Sequence, residues 1–260
     1  MAFTGKVALV TGAGSGIGKA AAVLLAQQGV RVGALSHTAD EVEQTAAEIR
    51  RNGNEAIPIV ADVAREEQMQ QAVRQLADRW GRLDIVFANA GINGVWAPIE
   101  ELTLDDWSRT ITSNLTGTFL TIKYAVPYLK KQGGNIVVTS SVNGTRVFSN
   151  TGATAYSATK AGEVAIAKML AVELGPHNIR VNVICPGQTE TEIQENTEKE
   201  DLKKIKFPVE YPKGKIPLDG GKPATSMQVA ELLLFLVSDA ASHITGTQLW
   251  IDGGESLVVG

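Results

Sequence analysis

Short apolar runs recur along the chain with longer helical patterns between them. The runs are Val7–Val10, Val30–Leu35, Ala56–Val60, Ile85–Ala88, Ile136–Thr139, Val181–Cys185 and Leu249–Ile251. Most are rich in β-branched residues and nearly continuous rather than alternating, the signature of strands covered on both faces. Helical spacing falls near 17–28, 40–52, 66–80, 104–131, 155–175 and 227–238. In the first of these, Ile17, Ala20, Ala21, Leu24 and Leu25 form one apolar stripe. Strand and helix in alternation imply right-handed βαβ units. The pattern therefore predicts an α/β fold: a doubly wound parallel sheet of about seven strands with helices on both faces. No internal repeat or low-complexity linker interrupts it, so residues 1–260 read as a single domain.

One stretch breaks the rhythm. Residues 192–222 hold seven acidic residues, seven basic residues and three prolines, with little periodicity. That is too long for a routine connection between helix and strand. It follows the carboxyl end of a predicted strand, where open α/β sheets bind ligands. The expectation is a lid over a substrate site, the plainer alternative being a solvated insertion.

Composition narrows the classes. With 44% hydrophobic and 20% charged residues the chain is an ordinary globular one. A net charge of −4 offers no attraction to nucleic acid or to an anionic membrane, and no apolar run is long enough to cross a bilayer. Residues 1–10 enter a strand pattern directly, without the layout of a signal peptide. Cys185 is the only cysteine, which excludes a disulfide and fits a cytoplasmic protein. His37, His177 and His243 are widely separated, and no metal site is expected.

Thr11-Gly12-Ala13-Gly14-Ser15-Gly16-Ile17-Gly18 follows the first predicted strand and opens the first predicted helix. Glycines permit a sharp turn and close approach to a ligand, and the helix start offers free N–H groups to a pyrophosphate. Gly12, Ser15, Gly16, Ile17 and Gly18 are thus candidate cofactor-binding residues. The spacing is neither the general G-x-G-x-x-G nor a Walker loop, which disfavours phosphoryl transfer. Farther on, Tyr156 and Lys160 lie four apart on a predicted helix and share a face. An ammonium beside a phenol favours the phenolate, so the pair makes a general acid/base.

These motifs together resemble the short-chain dehydrogenases/reductases in their compact single-domain form. TGAGSGIG matches the family's TGxxxGxG. Asn89-Ala90-Gly91 matches its NAG turn, Tyr156 to Lys160 its YxxxK, and Pro186-Gly187 with Thr191 its PGxxxT. The resemblance runs from about Lys6 to Gly254. It implies a Rossmann-type fold and hydride transfer between a nicotinamide cofactor and a small carbonyl or secondary alcohol substrate. It also implies a catalytic set of Asn114, Ser141, Tyr156 and Lys160. Ser141 would polarise the substrate oxygen; Ser140 is its rival, but Ser141-Val142-Asn143-Gly144 matches the family's S-x-x-G. Asn114 would hold a water linking Lys160 to solvent. The spacing from Ser141 to Tyr156 is about two residues longer than usual in the family, which makes Asn143, Arg146, Phe148 and Asn150 candidates for substrate selection.

The same resemblance assigns Asp62 and Val63 to the adenine, and Asn89, Ala90, Gly91, Pro186, Gly187, Thr189 and Thr191 to the rest of the cofactor. Members using NAD usually end the second strand with an acid. That position here is Ser36, followed by His37 and Thr38. All three could donate to a 2′-phosphate, so NADP is favoured, with NAD as the alternative and no metal. The family also implies a homotetramer, a dimer being the next choice, through helices 104–131 and 155–175 and the tail Leu257-Val258-Val259. Ordinary core is the alternative for Val164, Ile166 and Ala167. Two rival functions on this scaffold are a dinucleotide sensor without catalysis and an epimerase or lyase that retains its NAD.

Overall fold

A computed structural model describes residues 3–191, 197–206 and 216–258. In chain order the strands are β1 (Val7–Thr11), β2 (Arg31–Ser36), β3 (Ala56–Val60), β4 (Ile85–Ala88), β5 (Gly94–Trp96), β6 (Gly134–Thr139), β7 (Ile179–Pro186), β8 (Thr189–Glu190), β9 (Thr197–Lys199), β10 (Ala224–Thr225) and β11 (Gln248–Ile251). The helices are α1 (Gly16–Gln27), α2 (Ala39–Arg51), α3 (Glu66–Trp80), α4 (Leu104–Ile111), α5 (Gly117–Leu129), α6 (Thr154–Leu174) and α7 (Ser226–Val237).

Seven strands form one parallel sheet in the order β11-β7-β6-β4-β1-β2-β3. They are the seven runs read from the sequence, with ends moved by one or two residues. Along β1, Val7 and Leu9 enter one core, while Ala8 and Val10 enter the other. Successive side chains point to opposite faces of a strand, so a strand covered on both sides must be apolar throughout. The first core is closed by α3, α5 and α6, the second by α1, α2 and α7. Pro58 is tolerated in β3 because that strand lies at the sheet edge. The chain winds outward through β2 and β3, then returns past β1 to β4. The crevice at this reversal, beyond the carboxyl ends of β1 and β4, is where such sheets bind ligands.

One reading is corrected. The helix expected over 104–131 is broken: α4 and α5 are joined by a π-helical turn, Thr112–Thr116. Its physical cause is Asn114, described below. Part of the insertion 192–222 is described. Thr197–Lys199 pairs in parallel with Gly94–Trp96, Leu202–Lys204 forms a short 3-10 turn, and Lys204 bridges to Glu101 at 2.5 Å. The remainder of the expected lid, 192–196 and 207–215, lies outside the described residues.

Candidate active site

The loop from β1 into α1 is built for close approach. Gly12 and Gly16 have φ of 67° and 50°, a region that side chains with a Cβ avoid. A Cβ on Gly12 would meet Ala90 Cα at 3.0 Å, and one on Gly18 would run into the Gly12 carbonyl. The Asn89-Ala90-Gly91 turn is pinned against this loop. The Thr11 hydroxyl accepts from the Asn89 and Ala90 backbones at 3.0 and 3.1 Å. The Asn89 amide donates to the Thr11 carbonyl at 3.2 Å and accepts from Thr139 at 3.0 Å. One side chain thus ties β1, β4 and β6 together at their carboxyl ends.

Three observations fit this cradle to a dinucleotide. Ser15, the N-cap of α1, makes no side-chain cap, and the first turn of α1 carries no acid. Its N–H groups and dipole are therefore left for an anion. Thr191 faces Gly16, and its Oγ1 is buried with no hydrogen-bond partner among the described residues. A buried hydroxyl without a partner costs stability unless a ligand satisfies it. Pro186 ends β7 and Gly187 follows it, donating to the Ile251 carbonyl at 3.0 Å, and the Thr189 hydroxyl donates back to the Gly187 carbonyl. These contacts bring Thr191 over the crevice from the β7 side.

On the adenosine side, Ser36 is buried and its hydroxyl accepts from Thr38 N at 3.2 Å; His37 is exposed. The Asp62 carboxylate accepts from Ala64 N at 2.9 Å, and Val63 packs against Gly117. The structure adds a residue that the sequence reading missed. Glu41, in the first turn of α2, brings its carboxylate against Gly14, beside Ser36 Oγ. No acid ends β2, but one reaches the same place from five residues farther on. Its helical position alone carried no sign of this.

The catalytic candidates meet at the carboxyl end of β6. Lys160 is 4% exposed, and its ammonium donates to the Thr139 carbonyl at 2.9 Å. Its Nζ lies 5.6 Å from the centre of the Tyr156 ring. Tyr156 is 8% exposed, and its hydroxyl makes no hydrogen bond among the described residues. The two neighbouring serines have different partners. Ser140 Oγ donates to the Lys160 carbonyl at 2.8 Å, whereas Ser141 Oγ, among the described residues, accepts from Asn143 N alone, at 3.1 Å, and keeps its proton to donate.

Asn114 is fully buried. Its Oδ1 accepts from Ile92 N at 2.8 Å, and its Nδ2 donates to the Ile92 carbonyl at 2.9 Å and to Thr159 at 3.1 Å. It braces the backbone just after Gly91 against α6, and the π turn is the local distortion that lets it reach both. Asn114 Oδ1 and Lys160 Nζ both lie beside Gly91.

A second missed residue is Glu163, 1% exposed, whose carboxylate accepts from Lys160 Nζ at 3.0 and 3.1 Å. Burial pushes its carboxyl up to about 7, against the pull of the Lys160 ammonium and the Thr118 hydroxyl. Burial also opposes the Lys160 charge, but Glu163 and then Tyr156 carry the ammonium above its ordinary value. The available signal was an acid three residues from Lys160 on an otherwise apolar helical face.

Phe148 and Asn150 line a cavity of about 570 Å³ with Ile99, Lys204 and Ile205, opening beside Ser157. Asn150 donates to Asn143 at 2.7 Å. Arg146 is drawn elsewhere, stacking on Trp250 at 3.6 Å. Among the described residues, no group of His, Cys, Asp or Glu gathers to hold a metal.

A family model described as enoyl-(acyl carrier protein) reductase matches residues 12–256. The 3-oxoacyl-[acyl-carrier-protein] reductase FabG of Thermotoga maritima is 38% identical over 256 residues, 98% of this chain and 99% of that one. Glucose 1-dehydrogenase 2 of Bacillus subtilis is 36% identical, over 98% of this chain and 96% of its own. Among solved structures, a 3-ketoacyl-ACP reductase from Sinorhizobium meliloti superposes with a TM-score of 0.91 at 55% identity, covering 96% of this chain and 99% of that one. A Brucella melitensis 3-ketoacyl-(acyl-carrier-protein) reductase complexed with NADH is 31% identical, and a Burkholderia cenocepacia short chain dehydrogenase in complex with NADP is 33% identical. Both have a TM-score of 0.86 and cover 98% of this chain and 99% of their own. The chain belongs to the short-chain dehydrogenase/reductase family and is an NAD(P)-dependent oxidoreductase of alcohols and carbonyl compounds.

Proposed function

We propose that this oxidoreductase works through Tyr156 as general acid/base, with Lys160, Ser141 and Asn114 in support. The observation that carries the reading is the convergence of a buried Lys160 and a Tyr156 hydroxyl that has no hydrogen-bond partner among the described residues, beside the glycine cradle. Bound NAD(P) supplies or accepts the hydride. Tyr156 holds the proton at its Oη, giving it to a carbonyl oxygen in reduction and taking it from a hydroxyl in oxidation. The Lys160 ammonium favours the phenolate. Ser141 donates to the substrate oxygen and fixes its direction. Asn114 keeps the Gly91–Ile92 backbone and α6 in register.

The glycine loop, Asp62, Val63, the Asn89-Ala90-Gly91 turn and the segment Pro186 to Thr191 hold the cofactor. Ser36, His37 and Thr38 favour NADP, while the Glu41 carboxylate limits that preference. The substrate is a small carbonyl compound or secondary alcohol, selected by Phe148 and Asn150. Residues 192–222 serve as its lid. The protein assembles as a homotetramer in the cytoplasm. The exposed Phe119, Met169 and Val172 on α5 and α6 support the assembly, although Val164 and Ala167 belong to the core. A lone buried cysteine fits a reducing compartment.

The test is Tyr156→Phe, assayed for reduction of an acetoacetyl thioester and of cyclohexanone and for oxidation of glucose. Turnover should fall by about 10²–10⁴-fold, while nicotinamide fluorescence reports NAD(P)H affinity close to that of wild type. Turnover at the wild-type rate overturns the assignment.

A further inference from the structure

The Lys160 ammonium has three protons to donate, and protein groups engage all of them. One goes to the Thr139 carbonyl on β6, and the others go to the two carboxylate oxygens of Glu163. Glu163 lies one turn beyond Lys160 on α6 and is more deeply buried than the lysine. The Thr118 hydroxyl, on α5, also favours its charged form. An acid at this depth is expensive unless it is paired, and here its partner is the lysine that faces Tyr156.

We propose that Glu163 is a positioning residue of the reaction centre: it anchors the Lys160 ammonium between α6 and β6 and sets the net charge that the Tyr156 phenol faces. The inference rests on the assignment of Tyr156 and Lys160 as the acid/base pair. With Glu163 ionised, the pair is close to neutral, and its pull on the phenol proton is weakened. With the carboxylate removed, Tyr156 faces an uncompensated ammonium and releases its proton at lower pH. Lys160, left buried without its counter-ion, also loses its charge at lower pH than in wild type.

The groups that face Glu163 leave little else to produce this effect. Lys160 and Tyr156 lie on its own helix. Thr118 comes from α5 and does not titrate. Thr139 presents only a carbonyl from β6. Cys185, on β7, is a thiol that burial pushes up to about 11, so it is neutral throughout the relevant range. Glu163 itself, pushed up to about 7 by burial, changes charge within that range.

The experiment needs no substrate. Tyrosinate absorbance is titrated in the protein and in Tyr156→Phe, and the difference gives the Tyr156 midpoint. The same difference is measured in a Glu163→Gln background. The midpoint should fall by roughly one pH unit, and Glu163→Asp should restore much of it. A buried-carboxyl infrared band should appear in wild type below about pH 7 and be absent from Glu163→Gln. Should Glu163→Gln not fold, Thr118→Val keeps both charges but removes a donor to the carboxylate, and the carboxyl band should then persist to higher pH. Identical Tyr156 midpoints with and without Glu163, or a carboxyl band that does not respond to Thr118→Val, overturn the proposal. If Tyr156→Phe itself turns over normally, the assignment of the acid/base fails instead. If Tyr156→Phe is inactive while the midpoints coincide, only the role of Glu163 fails.

Discussion

The Ser140 hydroxyl donates to the Lys160 carbonyl at 2.8 Å, locking α6 to the end of β6. The bond gives two adjacent serines different partners. Ser140 holds the helix that carries Tyr156 and Lys160, the proposed acid/base pair, whereas the Ser141 hydroxyl keeps its proton among the described residues. Ser141→Ala should lower kcat by about 10²-fold, the cost of losing one donor to a developing oxyanion. Ser140→Ala should instead lower stability by about 1 kcal/mol, seen as a lower Tm, with a much smaller change in kcat. Equal kcat losses in the two variants would contradict this division of roles.

Glu41 stands where it would bear on the choice of dinucleotide under the proposed cofactor placement. Its carboxylate lies against Gly14 and next to Ser36 Oγ. A negative charge there opposes a 2′-phosphate and accepts a 2′-hydroxyl. Glu41→Gln should raise the affinity for NADPH relative to NADH about tenfold, or about 1.4 kcal/mol. Nicotinamide fluorescence titration of wild type and variant measures the ratio. An unchanged ratio would mean that the side chain moves out of the way when cofactor binds.

Legibility in the sequence followed the range of the interaction. The β1–α1 unit was fully readable: burial on both faces forces an apolar strand, and the close approach of Ala90 to Gly12 forces glycine. The π turn was not, because the partner that causes it, Ile92, is 22 residues away from Asn114. The two missed acids have the same explanation. Glu41 touches a loop distant in sequence, and Glu163 looks like any helical acid until the burial of its face is known. The β9 segment carries no period of its own and becomes a strand only because β5 presents an edge to it. Local patterns thus revealed the sheet and the motifs, while the residues that tune their charge depended on tertiary contacts.

Asn114 should prove as much a structural residue as a catalytic one. Asn114→Ala would leave the Ile92 N–H and carbonyl and the Thr159 hydroxyl without their partner. Each unsatisfied buried group costs about 1–3 kcal/mol, so a loss of several kcal/mol and a clear fall in Tm are expected, together with a loss of turnover. Denaturant unfolding and kcat measured on the same preparation check both. A variant of wild-type stability that is inactive would place the residue's role in proton transfer alone.

Cys185 offers a check on the core behind the site. Burial is the main cause that pushes its thiol up to about 11. The thiolate is the reactive form, so the folded protein at pH 8 exposes only about a thousandth of its thiol as nucleophile. Because the folded value lies above the ordinary one, the thiol's contribution to stability is complete below about pH 9 and is lost as the pH rises towards about 11. Iodoacetamide at pH 8 should leave the mass of the native protein unchanged over hours and add a single carboxamidomethyl group as soon as the chain is unfolded in guanidinium. Rapid alkylation of the native protein would show that β7 and α6 part often enough to admit the reagent, and the anchored Lys160 beside them could not then be rigid.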